Sequence, residues 1–238
     1  MSTVRLGDPG FLLPERRARI DEVVANRTRT LTLVMEAFAD VQNVNAVMRT
    51  AEAFGIQELH VIEGPMKAFD RNKKISQNAD KWLEVVRWKT TEECLAHLKS
   101  RGFLVYATHL GEGSRGLTEL SFARPVALVF GNEHRGVSPA ARAAADLCYA
   151  IPMRGFTQSF NVSVATAVSL FQAVERRTVE RGRHGDLEPA EAEALRARFY
   201  TKSVKQRARI AKAERAAERP PRPRRGGRGL RAGSTPAE

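Results

Sequence analysis

The chain of 238 residues contains little cysteine and no long apolar run. Its two cysteines, Cys94 and Cys148, stand far apart in helical or apolar contexts, which indicates buried free thiols and argues against a disulfide-stabilised secreted domain. No apolar run approaches the roughly 20 residues that span a membrane, and the first residues lack the apolar segment of a signal peptide. We therefore expect a soluble, cytoplasmic protein with no membrane partner.

Acidic residues are scarce at the C-terminal end. Residues 196–238 hold 14 of the 39 Lys and Arg residues but only 3 of the 27 Asp and Glu residues, so this end carries +11 of the formal net charge of +12. A balanced domain with a basic C-terminal arm predicts a polyanionic partner, most simply nucleic acid. The alternative is a solvated cationic helix and tail without a specific ligand.

Strand and helix patterns alternate along the chain. Apolar runs predict strands at 31–35, 58–62, 83–88, 103–108, 127–130 and 147–151, and periodic apolar spacing predicts helices at 11–26, 43–54, 91–99, 139–145, 162–174 and 188–218. This order predicts an α/β fold, with a mainly parallel sheet flanked by helices. We expect four parts: an N-terminal helical extension (1–28), an α/β domain (29–182), a basic helical extension (183–218) and a disordered basic tail (219–238).

Polar segments stand at three predicted strand–helix junctions, where α/β proteins bind ligands because helix N-termini leave backbone N–H groups unpaired. The first runs from Asn43 to Arg49. Asn43 suits a helix N-cap, and Arg49 lies about 120° further around the same helix. Taken alone, this pattern is explained by a capped helix with a surface arginine.

The second segment, 130–138, joins a buried strand to a loop with two glycines. Gly131 permits close backbone approach, Glu133 stands at the strand's end, and His134 is a weaker candidate for a general base. The third segment runs from Ile151 to Ser163 and opens a long apolar helix. Ser159 and Asn161 in that segment are explained equally well by helix capping. Three such segments on one sheet favour a functional site over three separate caps.

The three segments together resemble the SPOUT class of methyltransferases, and within it the TrmH-like RNA ribose 2′-O-methyltransferases. The resemblance is carried by Asn43-x-x-Ala46-x-x-Arg49-x-x-x-x-x-Gly55, by Phe130-Gly131-x-Glu133-x-x-Gly136-Val137-Ser138, and by Ile151-Pro152-Met153 through Ser159-Phe160-Asn161-Val162-Ser163-Val164-Ala165. It spans about residues 10–200 and is strongest toward the branch that methylates guanosine 18 of tRNA, which Ala79-Asp80-Lys81-Trp82-Leu83 also resembles.

The resemblance implies a deep trefoil knot in the C-terminal part of the catalytic domain, a feature that is rare among proteins. The knot loops, residues 106–112, 130–136 and 151–161, would hold the methyl donor S-adenosylmethionine. By position, Thr108, Gly131, Ile151 and Phe160 are expected to line the cofactor, largely through backbone groups. Backbone groups and an apolar wall suit the flat adenine ring.

The resemblance also implies the catalytic set. Arg49 matches the arginine held to be catalytic, with Asn43, Glu133, Ser159 and Asn161 around it. The family proposal has the arginine remove the 2′-OH proton, but a guanidinium with an ordinary pKa above about 12 is a poor base at neutral pH. We favour a role in which Arg49 binds a phosphate beside the target ribose and stabilises developing negative charge.

The implied partners are tRNA and a second copy of the chain, because the family's active site forms at a homodimer interface. The residues expected to grip tRNA lie on the N-terminal helix and the C-terminal helix: Arg16, Arg17, Arg19, Arg198, Lys202 and Lys205. Most contacts should be to phosphate. Phe199 and Tyr200 either stack on a base or pack the C-terminal helix onto the domain.

Other functions remain open. The substrate could be ribosomal RNA or another tRNA position, or the chain could be an RNA-binding SPOUT protein without turnover. The intact Asn43, Arg49, Glu133 and Asn161 argue against the latter. A nucleotide-dependent oxidoreductase is disfavoured, because no Gly-x-Gly-x-x-Gly stands at the first strand-to-helix turn.

Overall fold

A computed structural model describes residues 12–63 and 81–217, with side chains described to residue 204. The tail predicted at 219–238, the first part of the N-terminal extension and the Ala79–Asp80 pair lie outside the described residues. Within the described ranges, no helix combines the length and the apolar character that crossing a membrane requires.

Helices and strands alternate through the described chain, as predicted. The helices are α1 (Pro14–Ala25), α2 (Val41–Ala53), α3 (Thr91–Ser100), α4 (Pro139–Ala144), α5 (Val162–Arg181) and α6 (Pro189–Ala217). The strands are β1 (Leu31–Glu36), β2 (Glu58–Ile62), β3 (Glu84–Trp88), β4 (Leu104–Thr108), β5 (Arg115–Gly116), β6 (Val126–Phe130) and β7 (Leu147–Ala150). The two-residue strand β5 and the 3₁₀ turn Leu117–Glu119 that follows it were not predicted.

The strands form one seven-stranded sheet in the order β3-β2-β1-β6-β4-β7-β5. Every neighbouring pair is parallel, which confirms the predicted sheet. In the inner strand β1, Leu33 pairs with Leu59 of β2 on one side and with Leu128 of β6 on the other. The order places β6, β4 and β7 side by side, so the loops that leave their carboxyl ends meet at one edge.

Both faces of the sheet are covered. Leu33 and Met35 of β1 belong to an apolar cluster with residues of α2 and α5, whereas Val34 belongs to a second cluster with α3 and α4. Alternate residues of a strand point to opposite faces, so a strand that is buried on both faces reads as a continuous apolar run. All six residues of β1 are buried accordingly.

Helix α1 packs against α6 in a third apolar cluster, which contains Ile20, Val24, Leu195, Phe199 and Tyr200. Phe199 is 1% exposed and Tyr200 is 9% exposed. The prediction that Phe199 and Tyr200 pack the C-terminal helix onto the domain is therefore confirmed. The alternative prediction, that these rings stack on an RNA base, is wrong because both rings are buried. The charged composition of α6 conceals this apolar stripe in the sequence.

The start of α2 differs from the prediction that Asn43 caps it. The helix begins at Val41, and the side chain of Asp40 accepts a hydrogen bond of 2.8 Å from the backbone N–H of Gln42. Asp and Asn are about equally good N-caps, so composition alone does not choose between them. The N-cap therefore lies three residues earlier than predicted, which places Asn43 inside the first turn, where its side chain bonds elsewhere.

The region after α5 is tied to the start of β1 through a buried ion pair. Arg177 donates to Asp186, and both side chains are almost fully buried. Asp186 also accepts from the hydroxyl of Thr28 at 2.8 Å and the backbone N–H of Arg29 at 2.9 Å. Breaking a buried pair by removing one partner is strongly destabilising, so this contact helps to hold the C-terminal extension to the domain.

A carboxylate at the opposite edge of the sheet from the β4, β6 and β7 loops makes the fold sensitive to acid. Burial raises the pKa of Glu58, but hydrogen bonds from His60 and Arg101 outweigh burial and lower it from 4.5 to about 2. Glu58 therefore stabilises the fold fully above pH 4.5, and this stabilisation is lost as the pH falls toward 2. Between pH 7 and pH 3 the loss is about 2 kcal/mol.

The substitution Glu58→Gln tests this acid dependence. We expect the difference in the free energy of unfolding between pH 7 and pH 3, measured with urea, to shrink by about 2 kcal/mol in the variant. An unchanged difference would mean that Glu58 is not the group that titrates.

Candidate functional site

A cavity of about 410 Å³ opens at the carboxyl ends of β4, β6 and β7. Three segments wall it: 108–110, 130–137 and 149–162 with Ala165. All four predicted cofactor residues line this cavity, namely Thr108, Gly131, Ile151 and Phe160. Three members of the predicted catalytic set, Glu133, Ser159 and Asn161, line it as well. The structure thus brings together residues that lie more than 50 positions apart in the sequence.

Gly131 allows the second segment to fold back on itself. The backbone N–H of Gly136 donates to the carbonyl of Asn132 at 2.8 Å, which closes the loop. A Cβ at position 131 would lie 2.1 Å from the carbonyl carbon of Gly136 and 2.2 Å from the nitrogen of Val137. Only glycine fits this approach, because real Cβ atoms do not come so close to backbone.

A chain of hydrogen bonds links α2 to two walls of the cavity. The side-chain amide of Asn43 donates to Glu133 at 2.8 Å, and its oxygen accepts from the amide of Asn161 at 3.1 Å. Asn161 is also the N-cap of α5, where its oxygen accepts from the backbone N–H of Ser163 at 2.8 Å and from the Ser163 hydroxyl at 2.6 Å. Asn161 therefore serves both as a cap and as a link.

Glu133 is held as an acceptor. One carboxylate oxygen accepts from the backbone N–H of Ala39 at 2.9 Å. Burial raises the pKa of Glu133, but the hydrogen bonds from Ala39, Asn43 and Asp40 outweigh burial and lower the pKa below its ordinary value. The carboxylate is therefore ionised at neutral pH and orients its donors instead of donating a proton.

Arg49 lies on α2, six residues after Asn43, with an exposed side chain. It does not line the cavity within its own chain. The hydrogen bonds of Asn43 set the position of the helix that carries Arg49, whereas Asn43 itself is 8% exposed. Arg49 is thus an exposed residue on a helix whose first turn is hydrogen-bonded to two walls of the cavity.

Three basic residues that line the cavity were not predicted as site residues, namely His109, Arg135 and Arg142, and the weaker candidate His134 lines it as well. His109 directly follows β4, so its place after a strand could have identified it. Arg142 lies in the last turn of the short helix α4, and nothing in its sequence context indicates the cavity. Among the described residues, no three His, Cys, Asp or Glu side chains form a metal site.

The residues predicted to bind RNA lie on the packed α1–α6 unit. Arg16 sits over the ring of Trp82 at 5.8 Å, and Arg19 pairs with Glu22 at 2.7 Å. Arg17 is partly buried on the same helix. On α6, Arg198 pairs with Glu84 and Lys202 donates to the carbonyl of Lys81. The side chain of Lys205 lies outside the described part.

Helix α5 leaves an apolar stripe uncovered in the single chain. Phe160, Val164, Val168 and Phe171 are between 36% and 58% exposed. Phe160 stands two residues before α5, and spacings of four and three residues place Val164, Val168 and Phe171 on one face of the helix. This stripe, residues 160–171, begins at the cavity and runs away from it.

A parallel sheet with a cavity of this size at the carboxyl ends of adjacent strands defines the class: an α/β protein that binds a small ligand at this edge. Comparison with known proteins identifies the family. The model of the SpoU rRNA Methylase family matches residues 30–171. The chain belongs to this family, and the protein is a methylase.

Individual relatives agree with this assignment. The tRNA (guanosine(18)-2'-O)-methyltransferase of Borreliella burgdorferi is 35% identical over 198 residues, which cover 82% of this chain and 88% of that protein. The enzyme of the same name from Thermus thermophilus is 40% identical over 162 residues, or 68% of this chain and 83% of its own. The crystal structure of the Aquifex aeolicus TrmH/SpoU tRNA modifying enzyme matches with a TM-score of 0.71 and 32% identity, and covers 80% of this chain and 97% of that one.

Proposed function

We propose that the protein transfers a methyl group from S-adenosylmethionine to the ribose 2′-OH of guanosine 18 in tRNA. The observation that carries this proposal is the hydrogen-bond chain from Glu133 through Asn43 to Asn161, which joins the arginine-bearing helix α2 to two walls of the cavity. The names of relatives that are 35% and 40% identical support the substrate. A tRNA substrate is also the reason to place the protein in the cytoplasm.

The cavity suits S-adenosylmethionine. Its volume of about 410 Å³ lies within the range of small-molecule sites. Phe130, Ile151 and Phe160 offer apolar surface to an adenine ring. Gly131 has no side chain, so its backbone groups are accessible at the cavity wall. When bound there, the cofactor would supply an electrophilic methyl group on a sulfonium. We further propose that the loops 106–112, 130–136 and 151–161 form the trefoil knot of the family.

We assign Arg49 to the substrate side of the reaction. The 2′-OH is a weak nucleophile, so much of the acceleration must come from placing it in line with the methyl group and excluding water. Arg49 would bind a phosphate beside the target ribose and stabilise the negative charge that develops on the acceptor oxygen, while the 2′-OH proton leaves by way of arginine, phosphate or water and S-adenosylhomocysteine is the leaving group. Asn43 and Glu133 orient α2 for this task, Asn161 supports the cofactor loop, and Ser159 completes the wall between them.

Arg49 lies outside its own chain's cavity, so we propose that it acts with the cofactor of a second copy in a homodimer. The apolar stripe 160–171 supports this arrangement, because it starts at the cavity and is uncovered in one chain. A two-fold axis through this stripe would bury it against itself and bring each α2 toward the other chain's site.

Replacing Phe171 by Glu tests the dimer. A charge in the stripe is costly to bury, so we expect light scattering to give the mass of one chain instead of two, with methyl transfer reduced in parallel. Leu13→Glu is the matched control for the mass measured by light scattering, since Leu13 is 57% exposed and stands just before α1, away from the stripe. A Phe171→Glu variant that stays dimeric would place the interface elsewhere.

The helical extensions 1–28 and 183–218, which precede and follow the catalytic domain 29–182 in the sequence, are proposed to hold the tRNA. The packing of α1 on α6 supports them as one unit. Arg16, Arg17 and Arg19 of α1 are proposed to contact phosphates, with Arg198, Lys202 and Lys205 of α6 continuing the surface.

Deletion of residues 219–238 is expected to weaken tRNA binding only roughly threefold to tenfold at low salt and to leave the modified nucleotide unchanged. The tail's arginines can add non-specific attraction to phosphate but no sequence readout. Gel-shift titration and nucleotide mapping of the truncated protein would check this. A shifted methylation site would contradict it.

The proposed function is tested by incubating the protein with labelled S-adenosylmethionine and an unmodified tRNA transcript. We expect one labelled methyl group per tRNA, at a ribose. Ribosomal RNA is the alternative substrate in a parallel reaction, and label in ribosomal RNA only would mean that the substrate is ribosomal RNA. Binding of tRNA without any methyl transfer would favour an RNA-binding protein without turnover.

A further inference from the structure

A buried carboxylate stands behind the cavity wall without lining it. Glu36, the last residue of β1, is 3% exposed. It accepts three hydrogen bonds: 2.5 Å from the hydroxyl of Thr91, 2.8 Å from the backbone N–H of Ser138 and 2.6 Å from the hydroxyl of Ser138. All three donors are neutral, so the dipoles of two O–H groups and one N–H group hold the Glu36 side chain, and none of these contacts is an ion pair.

Both donors of Glu36 belong to helix starts. Thr91 is the first residue of α3, and Ser138 is the N-cap of α4. Helix N-termini carry a partial positive charge, which favours an anion between them. Burying a carboxylate is costly unless it is well bonded, so these two helix starts and Glu36 constrain one another strongly.

The segment 36–40 holds the cavity loop at further points. The side-chain amide of Asn132 donates to the carbonyl of Ala37 at 2.8 Å, and Glu133 accepts from the backbone N–H groups of Ala39 and Asp40 at 2.9 and 3.4 Å. Ala37 has a positive φ of 51°, which is unusual for a residue with a Cβ. The loop 131–138 is therefore fastened at both ends to the turn that leaves β1.

We infer that Glu36 is a positioning residue for the cofactor: by holding Ser138, it sets the shape of the loop 131–138 that forms one cavity wall. The two residues that precede Ser138, Gly136 and Val137, line the cavity. A shift of Ser138 would therefore move this wall directly. This inference rests on the proposed function, since it takes S-adenosylmethionine as the occupant. On this inference, Glu36 contributes to cofactor binding although it does not line the cavity.

The test is binding of S-adenosylhomocysteine, measured by calorimetry on the full chain. Glu36→Gln keeps the shape but replaces one acceptor oxygen by an N–H₂ group, which cannot accept from the backbone N–H of Ser138 and would otherwise make the two hydroxyls turn from donating to accepting. We therefore expect the Kd to rise about tenfold while the Kd for tRNA changes less than twofold. Glu58→Gln is the matched control, because it also removes a mostly buried carboxylate but at the opposite edge of the sheet. It should lower stability and leave S-adenosylhomocysteine binding unchanged.

A double-mutant cycle with Ser138→Ala shows whether Glu36 acts through Ser138. We expect the two substitutions together to weaken binding little more than either alone. Additive effects, or a Glu36→Gln variant that binds like the wild type, would overturn the inference. If Glu36→Gln does not fold by circular dichroism, Ser138→Ala alone decides: wild-type binding overturns it. Wild-type protein that fails to bind S-adenosylhomocysteine would count against the proposed function itself.

Discussion

Replacing Arg49 by alanine is expected to lower kcat for methyl transfer about 10²- to 10³-fold while leaving the Kd for S-adenosylhomocysteine unchanged. Removing one charged donor that stabilises developing negative charge has effects of this size. The cofactor affinity should persist because we assign Arg49 to a phosphate of the substrate and not to the cofactor. Single-turnover methylation and calorimetry on the same protein separate the two quantities. Loss of cofactor binding in parallel with kcat would contradict this assignment.

Two further variants sharpen the test of Arg49. Arg87→Ala removes another exposed arginine, on the edge strand β3, and should leave kcat unchanged. Arg49→Lys keeps the charge but loses the planar fork, so we expect kcat to recover to within about tenfold of the wild type. If the residue acts instead as a base, the lysine variant should gain activity as the pH rises toward an ordinary lysine pKa of about 10.4.

Replacing Gly131 by alanine is expected to weaken S-adenosylhomocysteine binding about 100-fold or more. The added Cβ would meet backbone atoms of Gly136 and Val137 at 2.1 to 2.2 Å, and backbone cannot rotate away as a side chain can. The loop must therefore move, and a displacement of about 1 Å at a site can cost 10²-fold. Calorimetry on the folded variant measures the change.

Gly155→Ala is the matched control for Gly131→Ala. Gly155 lies in the third cavity segment, and a Cβ there would meet nothing within 4 Å. The control should bind S-adenosylhomocysteine as the wild type does. Equal losses in both variants would indicate a general intolerance of these loops, whereas wild-type binding by Gly131→Ala would refute the close approach.

Much of the fold could be predicted from the sequence, because apolar pattern and burial agree. The run Leu31–Met35 is apolar except for Thr32 and became an inner strand of the sheet, covered on both faces. The apolar pattern was least informative in the charged helix α6. Phe199 and Tyr200 stand among arginines and lysines there, yet they pack in an apolar cluster against α1. Strand β5 has only two residues, Arg115 and Gly116, which is too short for any periodicity.

Part of the site was also predictable. Thr108, Gly131 and Ile151 stand at or just beyond the ends of three strands, and parallel order brings those ends together. The bond between Asn43 and Asn161 was not predictable, because it joins residues 118 positions apart whose side chains also suit ordinary capping. Glu36 was missed for a related reason: a carboxylate at the end of a strand reads as solvated until the fold buries it between two helix starts.

The most direct test of the proposed function is methylation of a ligated tRNA that carries 2′-deoxyguanosine at position 18. This substrate keeps the base and the phosphates but lacks the acceptor oxygen. We predict one methyl group on the ribose of guanosine 18 in the ordinary tRNA, located by nuclease digestion, and none in the deoxy substrate. Equal incorporation into both tRNAs, or label at any other nucleotide, would contradict the account.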